Sequence, residues 1–378
     1  MSTIDACDAC VRRSWLVARL SGHLEVRRAE REVIREVLAL PDARLIAALG
    51  GLEGALIAAE HAQRDPAELR AAWAAAGTHA ICRHRPGYPA SLLMLPDAPA
   101  VLHLRGDPQR LADLLAGAGV AIVGARKASV EARDCARLIG RGLSAAGVTV
   151  VSGMALGIDS AAHEGALEAA ANTIAVLACG PDVPYPRSRR DLHECLGERA
   201  AVISELPPGA TPYRWGFPAR NRIIAALSQM VVVVEAAERS GSLITADIGI
   251  TLGRDIAAVP GSPVSWRCAG TNQLLREGAT FVRDAVDVLD SLADPEPADL
   301  ASARAAGPSA RRTAPPVPAG LPARLQSLLR AIDGGAESVN AHARTPEEAR
   351  AVLGDLTELE LLGLVGRGPG GRYRRIRD

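Results

Sequence analysis

Between Gly119 and Leu292, short apolar runs alternate with helical stretches, and within each run the apolar residues are consecutive. The runs fall at 120–123, 149–152, 173–177, 201–204, 230–235 and 256–259. A strand with one wet face alternates apolar and polar side chains, whereas a strand apolar at every position is covered on both faces. Helices between successive strands supply that cover. The pattern predicts an α/β fold with a doubly wound parallel sheet.

In such a sheet ligands collect beyond the carboxyl ends of the strands, so the residues after each run carry the functional signal. The first run leads into Gly124-Ala125-Arg126-Lys127, the second into Ser152-Gly153-Met154-Ala155, and the fifth into Glu235 and then Arg239-Ser240-Gly241-Ser242. A glycine there lets backbone N–H groups approach a ligand without a Cβ in the way, and a following helix N-terminus adds partial positive charge. Both suit phosphate oxygens. The first exit lacks G-x-G-x-x-G and no G-x-x-x-x-G-K-[ST] occurs, which disfavours a dinucleotide dehydrogenase and a P-loop NTPase. Two cations stand there instead: Arg126 can fork onto a phosphate, and Lys127, the only lysine, adds a point charge. Phe217-Pro218-Ala219-Arg220-Asn221-Arg222 places two more arginines at a helix start. They are too close in sequence to share one helix face, so one is expected to meet ligand and the other to fix structure. Ser240-Gly241-Ser242 reads as an anion nest opening a helix, with a serine as its cap. The expected phosphate-binding set is Gly124, Ala125, Arg126, Lys127, Ser152, Gly153, Arg220, Asn221, Arg222, Ser240, Gly241 and Ser242.

Asp159, His163, Glu205 and Glu235 fall near the same edge and could form an acid–base set. The preferred reading is that they cap helices and orient arginines, so no catalytic residue is expected. Formal net charge is zero, which confines any polyanion-binding footprint to a local patch, and aromatics at 3% leave little for base stacking. The seven cysteines are odd in number and scattered, and read as reduced thiols of a cytoplasmic protein. Cys7-Asp8-Ala9-Cys10 is a C-x-x-C with no second pair at metal-ligand spacing after it, so neither metal nor cofactor is expected. Arg12-Arg13 is followed by charged residues where a secretory signal needs an apolar stretch, and no apolar run approaches the roughly 18 residues of a membrane span.

Residues 1–80 carry helical periodicity and read as a small domain of the helix-hairpin-helix kind, with Gly50-Gly51-Leu52-Glu53-Gly54 as an interhelical turn. Residues 81–292 hold the sheet. Residues 293–320, rich in Pro, Ala, Ser and Arg, read as a linker. Residues 321–378 read as three helices, the second at 339–344, closed by a hairpin: a winged-helix outline.

Several motifs in order resemble those of the DNA-processing protein A (DprA/Smf) family: Val123-Gly124-Ala125-Arg126, Val151-Ser152-Gly153-Met154-Ala155-Leu156-Gly157-Ile158-Asp159 with His163, and Ile203-Ser204-Glu205. Phe217 to Ile224, Ser240 to Ala246, Val259-Pro260-Gly261 and Gly270 to Leu275 continue the likeness, which spans 88–289. The resemblance implies an extended Rossmann-like domain that binds single-stranded DNA, forms a homodimer and loads the RecA recombinase during natural transformation. It puts the DNA-contacting G-x-R loop on Gly124 to Arg126. The aromatic that follows this loop in the family is replaced by Ala128-Ser129-Val130-Glu131, so phosphate contact is expected to outweigh stacking. Two rivals are a nucleoside-monophosphate phosphoribohydrolase, whose loop glutamate has no match in 240–246, and a winged-helix regulator of duplex DNA, whose recognition helix would here be acidic.

Overall fold

The computed structural model describes residues 4–27, 31–292, 321–333, 346–367 and 373–375. The chain divides into two compact units, Met1–Pro308 and Ser309–Asp378. The strands of the first are β1 (Ile4–Asp5), β2 (His79–Cys82), β3 (Val101–Gly106), β4 (Gly119–Val123), β5 (Thr149–Ser152), β6 (Thr173–Leu177), β7 (Ala201–Ser204), β8 (Met230–Val233), β9 (Asp255–Ala258) and β10 (Thr280–Phe281). They form one ten-stranded sheet in the order β1-β2-β3-β7-β6-β5-β4-β8-β9-β10. From β7 to β10 every pairing is parallel, while β3 runs antiparallel to both β7 and β2.

The chain lays β4 in the middle, builds outward through β5, β6 and β7, then returns to place β8 on the other side of β4. Where strand order reverses, the loops after β4 and β8 leave in opposite directions and a crevice opens between them.

Helices α1 (Asp8–Arg19), α2 (Ser21–Val26), α3 (Arg31–Leu38), α4 (Asp42–Leu49), α5 (Gly54–Gln63) and α6 (Pro66–Ala75) come first; α7 (Ala90–Leu93), α8 (Pro108–Ala116), α9 (Val130–Ala145), α10 (Ile158–Glu168), α11 (Arg190–Arg199), α12 (Gly216–Ala226), α13 (Gly241–Thr251), α14 (Ala269–Arg276) and α15 (Ala285–Ser291) follow. Alternate residues of β4 explain its unbroken apolar run. Ala121 and Val123 pack with Leu111, Leu114, Ile223 and Ala246 of α8, α12 and α13, whereas Val120 and Ile122 pack with Ile139, Leu143 and Ala162 of α9 and α10. Each fully buried Val or Ile contributes roughly 1.5–3 kcal/mol, so the central strands anchor the unit.

The N-terminal helices are part of this body. Leu16, Leu20, Leu24, Leu45 and Ile57 bury against Leu206 and Trp215 from the sheet side, and the Trp215 amide donates to Glu25 Oε2 at 3.0 Å. Strands β1 and β2 carry the same segment into the sheet, so the expected boundary near residue 80 lies inside one unit.

The second unit contains α16 (Ala323–Asp333), α17 (Pro346–Leu361) and an antiparallel pair, β11 (Val365–Arg367) and β12 (Tyr373–Arg375). Leu325, Leu329, Leu356, Leu359, Val365 and Tyr373 form its core. The expected short helix at 339–344 and the 293–320 linker lie outside the described residues.

Candidate functional site

An open cleft of about 560 Å³ occupies the crevice at the carboxyl ends of β4 and β8. Gly124 forms its floor: a Cβ there would stand 2.6 Å from Ile158 Cγ1 and 3.0 Å from the Glu235 carbonyl oxygen. Only glycine lets the loop pass that close to α10. One wall is the start of α13, where Ser240, Gly241 and Ser242 line the space; the other is α12, which contributes Phe217, Arg220 and Asn221. The Ser240 hydroxyl accepts from the Ser242 amide at 3.4 Å and lies 2.7 Å from the Ser242 hydroxyl, a serine N-cap as expected. Gly241 is exposed, with nothing near the position a Cβ would take.

Arg126 is exposed at the rim, its guanidinium 4.9 Å from the centroid of the Phe217 ring. That ring lies 5.4 Å from the ring of Tyr185. A second hollow of about 100 Å³ is bounded by the same three residues. Arg126, Phe217 and Tyr185 thus make a cationic, aromatic ridge between two depressions. Arg214, also exposed, adds another guanidinium to the cleft lining.

Below the ridge, Arg220 is buried. Its Nη1 donates to the Val176 carbonyl at 2.6 Å and its Nη2 lies 3.7 Å from Asp159 Oδ2. Burial lifts the Asp159 carboxyl above the usual carboxylate range and lowers the Arg220 guanidinium, and each charge offsets part of the other's loss of water. The pair presents a nearly neutral floor, so the cleft's positive field comes from Arg126 and Arg214.

Several residues expected to bind phosphate are engaged elsewhere. The fully buried Ser152 hydroxyl donates to the Ile122 carbonyl at 2.6 Å, fastening β5 to β4. Gly153 makes room for Arg220, since a Cβ there would fall 1.6 Å from Nη1, and its amide serves the Asp159 carboxylate. The Ala125 amide donates to the Glu235 carbonyl at 2.7 Å and its carbonyl accepts from Ile158 at 3.3 Å. Arg222 is fully buried: Nε meets Asp97 Oδ2 at 2.7 Å and Nη2 meets Glu205 Oε1 at 2.8 Å. Burial opposes its charge, yet the two carboxylates raise its pKa overall. Both arginines on α12 are held by partners inside the fold, but Arg220 lines the cleft and Arg222 does not. Lys127 is exposed on the loop but outside the cleft lining, and its carbonyl accepts from Arg267 at 2.7 Å. Gly124, Arg126, Arg220, Asn221, Ser240, Gly241 and Ser242 do come together in the cleft.

The candidate acid–base groups are likewise engaged. Glu235 accepts from the Ser129 hydroxyl at 2.7 Å and the Ser129 amide at 3.1 Å, and Glu205 holds Arg222. His163 is buried beside Thr173 at 2.7 Å, and burial lowers its pKa to about 3. Sequence reading missed Tyr185, Phe217 as an aromatic contact, and Arg214, which converge from loops and a helix start with no shared spacing. It also missed the neighbours of Cys7 and Cys10, which pack against Cys82 and His84.

Fold and cleft define a class: a Rossmann-like protein whose ligand edge carries a cationic, aromatic-bordered crevice in place of a dinucleotide loop. The family model described as DNA recombination-mediator protein A matches residues 79–293. The DNA processing protein DprA of Streptococcus pneumoniae is 42% identical over 202 residues, covering 53% of this chain and 70% of the relative. Protein Smf of Escherichia coli is 35% identical over 299 residues, covering 77% and 75%. The solved structure of DprA from S. pneumoniae aligns with a TM-score of 0.61 at 34% identity, covering 75% of this chain and 96% of that one. A structure of DNA processing protein A from Helicobacter pylori, reported for its single-stranded DNA binding mode, aligns at 0.51 and 27% identity, covering 57% and 94%. This chain belongs to the DprA/Smf family.

Proposed function

We propose that this chain binds single-stranded DNA along the carboxyl edge of its parallel sheet. It does so without catalysis, as a cytoplasmic homodimer that hands the strand to the RecA recombinase. The observation that carries the reading is the ridge of Arg126, Phe217 and Tyr185 facing the capped start of α13 across the switch-point cleft. Guanidinium groups and helix N–H groups meet phosphates without regard to sequence, and the aromatic rings offer faces on which any base stacks. The Helicobacter pylori relative supports the choice of a single strand over a duplex.

The test is a salt titration of binding to single- and double-stranded oligonucleotides of equal length. Arg126→Ala weakens binding about equally on different single-stranded sequences and lowers the log–log salt slope by roughly 0.7–1, the share of one phosphate contact. Phe217→Ala costs roughly 1–3 kcal/mol and leaves the slope nearly unchanged, because stacking releases no counterions. Wild-type affinity in both variants would overturn the assignment, and release of free base from nucleoside monophosphates would favour a phosphoribohydrolase. Loading of the recombinase is tested separately, by whether the protein speeds RecA filament growth on DNA already coated with single-strand-binding protein.

A further inference from the structure

We propose that Cys7, Cys10, Cys82 and His84 form a structural zinc site that fastens the start of the chain to the rim of the sheet. The four donor atoms all lie within 4.8 Å of one another, and among the described residues this is the one such group. The distances Cys7 Sγ to His84 Nδ1 and Cys10 Sγ to His84 Nδ1 are each 3.4 Å. In a zinc tetrahedron with bonds of about 2.3 Å to sulfur and about 2.0–2.1 Å to nitrogen, ligand atoms stand roughly 3.5–3.8 Å apart. The two contacts to His84 need to open by only a few tenths of an ångström, and no pair of donors, at 4.8 Å or less, needs to close by more than about 1–1.3 Å.

Three thiolates and an imidazole are a soft, nitrogen-and-sulfur set that favours zinc over the oxygen-seeking cations. With four protein donors no position stays open for a substrate, which makes the site structural. The donors come as two short pairs, C-x-x-C and C-x-H, on separate elements. Cys7 is the N-cap residue of α1 and Cys10 lies in its first turn, whereas Cys82 ends β2 and His84 sits in the turn beyond. Independent support comes from the backbone: the Cys7 amide points at Cys82 Sγ, 3.4 Å away. Amide N–H groups aimed at sulfur are the outer-shell partners that stabilise metal-bound thiolates. Cys10 and Cys82 are buried, while the His84 side of the cluster is open to entry of the ion. The site also has a mechanical role to play, because β1 is two residues long and makes only two parallel pairings with β2, supplemented by the exposed ion pair of Asp5 with Arg85 and by Arg70 on the Ala6 carbonyl.

The experiment uses the full-length chain, stripped with a chelator under reducing conditions, incubated with excess zinc and passed through a desalting column. Elemental analysis is expected to find about one zinc per chain. Cobalt in place of zinc is expected to give the strong visible absorption of a four-coordinate ion with thiolate charge-transfer bands. His84→Ala, at an exposed side chain and so compatible with folding, weakens zinc binding by more than the roughly 10–100-fold that losing a mere supporting partner costs. Cys82→Ser abolishes stoichiometric retention, and Cys195→Ser, far from the cluster, retains it. No retained zinc, octahedral cobalt, equal loss in Cys195→Ser or unchanged zinc content in both ligand variants would each overturn the proposal. Because the cluster is remote from Arg126, single-stranded DNA binding by the same preparations is read separately and neither result decides the other.

Discussion

At Gly153 one methyl group separates two states of the cleft. The Arg220 guanidinium lies against this glycine while bound to the Val176 carbonyl and facing Asp159. Gly153→Ala would displace it and leave a buried carboxylate unpaired, so a loss of roughly 3–5 kcal/mol is expected in chemical denaturation. Gly241→Ala is the contrast: the position is open and starts a helix, so stability is expected to change by less than about 1 kcal/mol. Equal stability of the two variants would remove Arg220 from the account of the cleft. The same glycine shows that residue type alone does not tell a group free to meet a ligand from one engaged inside the fold. Ser152, Gly153 and Arg222 are the kinds of residue that bind phosphate, but which way each side chain or amide points depends on neighbours from β4, α10 and the loops before β3 and α12. Nothing in the local spacing encodes those neighbours.

Among the elements, the strands from β4 to β8 were legible because both faces are covered, which leaves runs of consecutive apolar residues, and β9 was legible from its buried last half. Strands β1 and β10, two residues each, are too short to carry any pattern. Two helix-to-strand joints, by contrast, rest on buried histidines: His103 carried no signal in the sequence, and His163 was read there only as a group near the ligand edge. His103 on β3 lies 2.8 Å from the Ser14 hydroxyl of α1, and His163 on α10 lies 2.7 Å from the Thr173 hydroxyl of β6. Burial lowers both pKa values to about 3. A histidine held neutral in the fold binds fewer protons there than in the unfolded chain, whose histidines titrate near ~6.5. Their stabilising contribution is complete above about pH 6.5 and is lost as pH falls toward about 3, by up to ~1.4 kcal/mol per pH unit for each. Asp159 works in the opposite sense: its raised pKa adds stability at low pH that disappears as pH rises through that value. Burial lowers His193 as well and raises Asp247, so the lowered histidines outnumber the raised carboxyls; denaturation midpoints are expected to fall on acidification from pH ~6.5, and His163→Gln to lessen the slope. A flat profile would mean that these histidines are not buried neutral.

For the molecule as a whole, every residue of the cleft belongs to the first unit. A chain ending at Pro308 is therefore expected to keep single-stranded DNA affinity within about 1 kcal/mol of full length, as read by the same salt titration. Its loss would transfer binding to the second unit. The whole-molecule scale is also where sequence reading failed for the aromatic ridge, since Arg126, Tyr185 and Phe217 meet only after β4, β6 and β7 are assembled. The pairing of Val120 with Met230 has a further consequence in time. Contacts between such distant segments form late, because the long intervening chain must first be closed into a loop. As the polypeptide leaves the ribosome, β4 to β7 can dock while the opposite wall of the cleft is still unmade. On the proposed reading the cleft gains its second wall only when β8 and the serine turn that opens α13 emerge, so a nascent chain is expected to lack the full binding surface until most of the first unit has been synthesised.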